Sequence, residues 1–115
     1  MLEKFDLSFV LSITMWIHLY NGDEGLNEFL QNLAKISKFI IIEPQPWKCY
    51  LSMRKRNKKN KVTLPYSLDN LKIRNDVETH IQNKLIEYGF DLVQVNNYFV
   101  FSSIVKIKKY IRNWE

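Results

Sequence analysis

The chain has 115 residues, a formal net charge of +5, three glycines and one cysteine. The glycines, at positions 22, 25 and 89, cannot form a glycine-rich phosphate-binding loop, and one cysteine excludes an internal disulfide or a cysteine-rich zinc site. The longest apolar runs have four residues, whereas a membrane span needs about 18. We therefore expect one soluble cytoplasmic domain, with the nucleus as an alternative location, and neither a metal site nor a membrane partner.

The first half of the chain predicts two strands around one helix. Phe5–Ile13 is largely apolar, as expected for a buried strand. Asn21-Gly22-Asp23 then interrupts the pattern, and Asp23 is a suitable N-cap for a helix. The apolar residues of that helix recur with helical spacing: Leu26, Phe29, Leu30, Leu33 and Ala34. Phe39–Ile42 predicts a second buried strand that ends before Pro44.

The second half predicts a loop, a helix and two strands. Six basic residues lie within positions 54–61, so we expect a mobile basic loop over residues 52–64. A helix follows, with Asn75 or Asp76 as its N-cap, Gly89 as its C′ residue and apolar positions at Val77, Ile81, Leu85 and Ile86. Strands are predicted at Phe90–Val95 and Phe99–Ile107, joined by a turn at Asn96-Asn97.

Four strands and two helices indicate a single α/β domain over residues 1–115. Its last part, residues 97–115, contains the final strand and a tail. We find no internal repeat in the sequence and no second domain.

Charge is distributed unevenly along this domain. Residues 1–47 carry a net charge of −3 and residues 48–115 a net charge of +8. The basic run is either a solvated or nuclear-localisation-like segment, or a surface that binds nucleic-acid phosphates. Trp47, Tyr50 and Tyr66 flank it, and aromatic side chains beside a basic tract favour unpaired nucleotides.

Two polar and aromatic segments follow the first two predicted strands. Ser12–His18 and Glu43–Lys48 occupy the carboxyl ends of those strands, where open α/β sheets bind ligands. Pro44 and Pro46 restrict the second segment to a stiff extended conformation. The alternative interpretation is a surface turn whose tryptophan covers the core.

These segments resemble the two signatures of the methylphosphate capping enzymes of the bicoid-interacting type. The first signature corresponds to Ser12–Leu19 with Gly22–Leu26, and the second to Glu43–Tyr50. Met15 and Lys48-Cys49-Tyr50 are most similar to the branch that methylates RNA 5′-monophosphates. The resemblance implies a Rossmann-like methyltransferase that uses S-adenosylmethionine and acts on small RNAs, among them a histidine tRNA and microRNA precursors.

The resemblance also implies roles for individual residues. Leu11, Ser12 and Thr14 would contact the methionine end of the cofactor. The 5′ phosphate and first nucleotide would be held by charge from Lys48, hydrogen bonds from His18 and Gln45, and a stacking surface on Trp47. The RNA backbone would be guided by the basic run, Arg54, Lys55, Arg56, Lys58, Lys59 and Lys61. No residue is expected to act as an acid or base, because the phosphate nucleophile is already anionic.

The resemblance covers residues 5–95 and corresponds to the C-terminal half of the family's sheet, strands four to seven with two helices. The glycine-rich cofactor loop belongs to the other half, so we expect this chain to be inactive alone. The alternative is a non-catalytic RNA-binding remnant or pseudo-enzyme. The first strand would lack a neighbour, which favours self-association through residues 5–13.

Overall fold

The computed structural model describes residues 5–95 and 98–103. Helices and strands alternate in the first half of the chain, and two strands close the second half. In chain order the elements are β1 (Phe5–Leu11), α1 (Thr14–Ile36), β2 (Ser37–Glu43), α2 (Trp47–Lys59), a 3₁₀ turn (Leu68–Asn70), α3 (Val77–Glu87), β3 (Phe90–Val95) and β4 (Tyr98–Ser103). The prediction of an α/β fold is confirmed, but the described residues form three α-helices instead of two.

The four strands form one sheet in the order β1-β2-β4-β3. β1 and β2 are parallel, with Leu7 beside Phe39, and α1 provides the crossover that parallel neighbours require. β4 runs antiparallel to both of its neighbours. Within the described sheet, β1 has a neighbour on one side alone, so its outer edge is open, as predicted.

The core lies between one face of the sheet and the helices. α1 contacts β1 and β2, α3 contacts β3, and the two helices contact each other. Side chains of β2 alternate accordingly, because Ile40 and Ile42 are buried whereas Phe39 is exposed. Among the described helices, none is long and apolar enough to cross a membrane.

α1 begins nine residues before the predicted N-cap at Asp23. Its first turns bury Thr14, Met15, His18 and Leu19, which share one helical face, and β1 ends at Leu11 instead of Ile13. The predicted interruption is real but lies inside the helix, where Gly22 adopts φ 74° and ψ −173°. This positive φ favours glycine, and a Cβ at this position would lie 2.9 Å from Cε1 of Tyr66.

The prediction of a loop over residues 52–64 is wrong for its first part, because α2 extends to Lys59. Its apolar anchors, Trp47, Tyr50 and Met53, occupy every third position and are buried. They precede most of the basic residues, so a window on the basic run alone contains no apolar periodicity. Three bases lie in the last turn, where they interact favourably with the helix dipole.

The structure confirms most predictions for the last third of the described chain. α3 follows Asp76 at the N-cap position, and Gly89 lies just beyond the helix with φ 95°. β3 has the predicted bounds. The predicted turn at Asn96-Asn97, the end of the last strand at Ile107 and the rest of the tail lie outside the described residues.

The sheet face away from α1 and α3 exposes apolar side chains. Leu7, Phe9 and Leu11 alternate along β1, and Phe9 is 62% exposed. Phe39 on the neighbouring strand and Val93 on β3 are exposed as well. An open strand edge beside an apolar surface favours association with another chain.

We therefore expect Phe9→Lys to reduce self-association, because it places a charge on the exposed apolar face next to the open edge. Sedimentation velocity over a range of protein concentrations measures this. Ile86→Lys on α3 is the matched control, since it adds the same charge at an exposed apolar side chain. Equal self-association of the two variants would contradict a role for β1.

Candidate functional site

The side chain of Gln45 joins the two segments that follow β1 and β2. Its Nε2 donates to the carbonyl of Ser12 at 2.6 Å, and its Oε1 accepts from the Met15 backbone N–H at 3.0 Å and the Thr14 hydroxyl at 3.2 Å. The Met15 N–H belongs to the first turn of α1, where backbone donors lack partners within the helix. Gln45, in the segment between β2 and α2, therefore caps α1 and brings the two segments together, as predicted.

Ser12 makes the sharp turn between β1 and α1. Its φ of 56° lies in the left-handed region, which costs a non-glycine residue about 1–3 kcal/mol and occurs often at functional sites. The turn is held by Glu43, whose carbonyl accepts from the Ser12 N–H at 3.2 Å and whose carboxylate accepts from the Ser12 hydroxyl. Leu11 and Ser12 are exposed, whereas Thr14 is buried.

An open groove of about 590 Å³ lies beside this turn. Lys48, Ser52 and Arg56 line it from α2, where four-residue spacing places them on one side of the helix. The other lining residues are Ser12, Met15, Trp16, Gln45 and Cys49. No lining residue is acidic, so Lys48 and Arg56 make the groove attractive to an anion.

His18 lies in the core beneath α2 and does not line the groove. Its side chain is fully buried, with Nδ1 2.8 Å from the Tyr50 hydroxyl and Nε2 2.7 Å from Oδ1 of Asp23. The carboxylate of Asp23 also accepts the backbone N–H groups of Lys72 at 2.7 Å and Ile73 at 3.3 Å. His18, which was predicted to hydrogen-bond the RNA 5′ phosphate, instead connects α1 with α2 and, through Asp23, with the segment before α3.

The pKa values of two of these groups respond to their surroundings. Burial alone would raise the pKa of Asp23, but hydrogen bonds from His18, Lys72 and Ile73 outweigh it and lower that pKa below its usual range. Burial, together with the charges of Asp23 and Glu78, raises the pKa of Tyr50 far above its usual range. Tyr50 therefore keeps its proton and can donate to Nδ1 of His18 while Nε2–H donates to Asp23.

Trp47 also belongs to the core. It is 8% exposed and stacks on Tyr50, with 4.8 Å between the ring centroids. The guanidinium carbon of Arg74 lies 5.1 Å from the centroid of the indole. This arrangement fits the alternative in which the tryptophan covers the core. Trp16, which was not among the predicted site residues, is 39% exposed and borders the groove.

α2 distributes the predicted basic residues over different sides of the helix. Arg56 faces the groove with Lys48, whereas Arg54 and Lys58 border a second cavity. Arg54 is also 3.4 Å from the carboxylate of Asp69. The remaining bases are exposed: Lys55, Lys59 and Lys61.

The sequence does not predict that Lys48, Ser52 and Arg56 lie along one side of a helix, because the predicted loop begins at residue 52. Trp16 was missed because its exposure depends on the helix that begins at Thr14, which places it outside the face that buries Met15, His18 and Leu19. In the part of the chain that the structure describes, no group of three or more side chains is suited to hold a metal ion.

The fold and the groove define a class of protein. Parallel strands whose carboxyl ends meet at a polar, cationic groove are typical of α/β proteins that bind nucleotides or other anions. The particular family follows from comparison with known proteins. The family model described as Bicoid-interacting protein 3 (Bin3) matches residues 5–108, and the chain belongs to this family.

Relatives from three vertebrates show the same relationship. The chain is 41% identical over 90 residues to the RNA 5′-monophosphate methyltransferase of Bos taurus, covering 77% of this chain and 31% of the relative. It is 42% identical over 87 residues to the pre-miRNA 5′-monophosphate methyltransferase of Xenopus laevis, covering 76% and 34%. The protein of that name from Danio rerio is 38% identical over 93 residues, covering 80% and 37%. The chain thus spans about a third of the length of these relatives.

We expect His18→Leu to lower the free energy of unfolding by about 3 kcal/mol. The substitution leaves the buried hydroxyl of Tyr50 without its hydrogen-bond partner and removes one of the hydrogen bonds to the Asp23 carboxylate. Urea denaturation at pH 7 measures the loss. His80→Leu is the control, since the His80 side chain is partly exposed and, among the described residues, forms one hydrogen bond, 2.7 Å to Asn27. A loss no larger than that of the control would contradict the central role of His18.

Acid should remove the stabilisation that the Asp23 carboxylate provides. A carboxyl group whose pKa is lowered by folding stabilises the protein above its unfolded pKa, about 4, and loses this effect as the pH falls through the folded pKa. Asp23→Asn should therefore be less stable than the wild type at pH 7, with a smaller difference at pH 3. Urea titrations at both pH values test this.

The control for this titration is Glu24→Gln, at an exposed neighbouring side chain. We expect it to change the free energy of unfolding little at neutral pH. A wild-type advantage over Asp23→Asn that persists unchanged at pH 3 would show that the carboxylate charge is not what stabilises this site.

Proposed function

We propose that this chain is the RNA-facing part of an S-adenosylmethionine-dependent methyltransferase that modifies the 5′-monophosphate of small RNAs. The observation that carries the proposal is the groove, where Lys48 and Arg56 lie beside the exposed Trp16 at the carboxyl ends of parallel strands. The names of the relatives supply the substrate class, an RNA 5′-monophosphate.

The position of β1 supports the assignment of the strands as numbers four to seven of a Rossmann-like sheet. In the doubly wound order 3-2-1-4-5-6, the fourth strand pairs with the fifth on one side and the first on the other. β1 has a parallel neighbour, β2, and an open edge on its other side. A cofactor-binding half would pair with this edge and cover the apolar face around Phe9.

The residues at the end of β1 fit one part of the cofactor. Leu11 offers an exposed apolar side chain, and the next residue, Ser12, lines the groove and carries a hydroxyl, so the pair suits the methionine end. The three glycines of the sequence provide no loop for the rest of the cofactor. When bound, S-adenosylmethionine supplies an electrophilic methyl group on a positively charged sulfur.

The chain's own residues would bind and orient the RNA. Lys48 and Arg56 pair with the oxygens of the 5′ phosphate through charge-assisted hydrogen bonds, and Trp16 offers a stacking surface for the first base. A phosphate oxygen is already anionic, so no side chain has to remove a proton before it attacks. The hydrogen bond from Gln45 to Ser12 fixes the end of β1 relative to the groove. The main contribution of this chain would therefore be to orient the RNA phosphate.

The RNA substrate would be a microRNA precursor or a tRNA. The first follows the printed name of the Xenopus laevis relative, and the second extends the resemblance to the monophosphate branch. A cytoplasmic location stays a prediction.

A non-catalytic RNA-binding role is the second candidate. It is favoured by the three glycines of the sequence, which provide no cofactor loop, whereas Lys48 and Arg56 in the groove are sufficient to bind a phosphate. Incubation of this chain with radiolabelled S-adenosylmethionine and a 5′-monophosphorylated hairpin separates the two. We expect no transfer by the chain alone and transfer once a relative's cofactor-binding half is added. Continued absence of transfer in that mixture would favour the RNA-binding role.

We expect the chain to bind a 5′-monophosphorylated RNA about tenfold more tightly than the same RNA with a 5′ hydroxyl, because two cations meet the terminal phosphate. Lys48→Gln with Arg56→Gln should abolish this preference. Fluorescence anisotropy at a fixed salt concentration measures both affinities. Each single variant, Lys48→Gln or Arg56→Gln, is compared with Lys35→Gln, which removes one positive charge from an exposed side chain in the last turn of α1.

Both affinities should fall as salt increases, since bound phosphates release counterions. Equal binding of the phosphorylated and unphosphorylated RNAs by the wild type would contradict a 5′-phosphate site in the groove.

A further inference from the structure

A second cavity, here called the side cavity, lies across α2 from the groove. It has a volume of about 270 Å³. Its walls include apolar side chains, one aromatic ring and two cations: Met53, Leu64, Leu68, Tyr66, Arg54 and Lys58. The volume lies just below the range of about 300–1,000 Å³ for small-molecule sites, so it suits a group of the size of one base.

The composition of the side cavity matches the chemistry of a nucleotide. Val62, which is 50% exposed, and the half-buried Leu64 provide apolar contact for a base, and Tyr66, which is 43% exposed, provides a stacking partner. Lys58 forms no ion pair among the described residues, so its ammonium group is available to a phosphate. Arg54 contacts Asp69 at 3.4 Å, but both side chains are largely exposed and such pairs are weak.

The ring of Tyr66 is held in place by the break in α1. Gly22 lies against it so closely that a Cβ would come within 2.9 Å of Cε1 and 3.1 Å of Cζ. The missing side chain at Gly22 therefore leaves the space that Tyr66 occupies. A fixed aromatic ring loses little conformational entropy when a base stacks on it.

The side cavity and the groove lie on one helix but on different sides of it. Lys48, Ser52 and Arg56 face the groove, whereas Arg54 and Lys58 border the side cavity. Lys55 and Lys59 are exposed and extend the positive surface of the same helix. A strand with its 5′ end in the groove can therefore follow basic side chains around α2 to the side cavity.

We propose that the side cavity binds one unpaired nucleotide of the RNA, with its base against Tyr66 and its phosphate on Lys58. This inference rests on the proposed function, since it takes RNA as the ligand, but it concerns a different site from the one for the 5′ phosphate. The side cavity thereby selects RNAs whose 5′ region is not fully paired, because a base inside a duplex cannot enter it.

The methionines of the chain provide a probe for each site. Met53 lines the side cavity, Met15 lines the groove, and Met1 is the third methionine of the sequence. In a sample with ¹³C-labelled methionine methyl groups, a 5′-monophosphorylated single-stranded hexanucleotide should shift the signals of Met15 and Met53. A blunt duplex with 5′-monophosphates should shift Met15 and leave Met53 unchanged.

Thr63→Leu should separate the two sites, because Thr63 lines the side cavity and is exposed, and a leucine there fills the space for a base. The variant should lose the Met53 shift, keep the Met15 shift and bind the hexanucleotide about tenfold more weakly, as expected for one lost stacked base. Thr79→Leu, on an exposed position of α3, should behave as the wild type. Lys58→Gln is a second variant that weakens hexanucleotide binding without filling the side cavity.

The outcomes distinguish the failure of this inference from that of the proposed function. If Met53 shifts equally with hexanucleotide and duplex, or if Thr63→Leu and Lys58→Gln both bind as the wild type does, the side cavity is not a nucleotide site. Met15 responding equally to RNAs with a 5′ phosphate and a 5′ hydroxyl would instead contradict the proposed function of the groove, while the Met53 comparison would still decide the side cavity.

Discussion

The position of α2 depends on the hydrogen bonds of His18. This buried side chain connects the Tyr50 hydroxyl on α2 with the Asp23 carboxylate beside the break in α1, and Asp23 also binds two backbone N–H groups before α3. Polar groups in the core are costly unless each finds a partner, so these hydrogen bonds favour this packing of the three elements. Since α2 carries one wall of the groove and one of the side cavity, the geometry of both sites follows from these bonds.

Local sequence patterns predicted the elements whose signals lie within their own bounds. α3 has apolar residues at helical spacing and Gly89 directly after it, and β3 is a short segment with four apolar residues in six, so both predictions are confirmed. α2 was missed because its anchors, Trp47, Tyr50 and Met53, precede a stretch in which basic residues dominate. The start of α1 was missed because Gly22 and Asp23 combine the features of a helix N-terminus, whereas here the chain resumes a helix after a break.

The candidate site, too, could be predicted only in part from the sequence. The meeting of the two segments at the carboxyl ends of β1 and β2 could be predicted, because it depends on strand direction alone. Which side chains face solvent there could not, because it depends on partners distant in sequence. His18 finds its partner in Tyr50, Trp47 in Arg74 and Gln45 in the turn at Ser12. Polar and aromatic residues in a signature can therefore stabilise a site without touching its ligand.

The buried side of α2 also explains why this helix can carry so many exposed cations. A helix with this many like charges repels itself and has little intrinsic stability. Its buried side provides the compensation, since Trp47, Tyr50 and Met53 pack into the core and Arg74 lies over the indole. The core thus holds six cations at fixed angles around one helix axis, which a mobile loop could not do. Fixed cations on two sides of a helix can bind phosphates at defined positions along a strand, and this geometry suits an RNA end better than a uniform duplex surface.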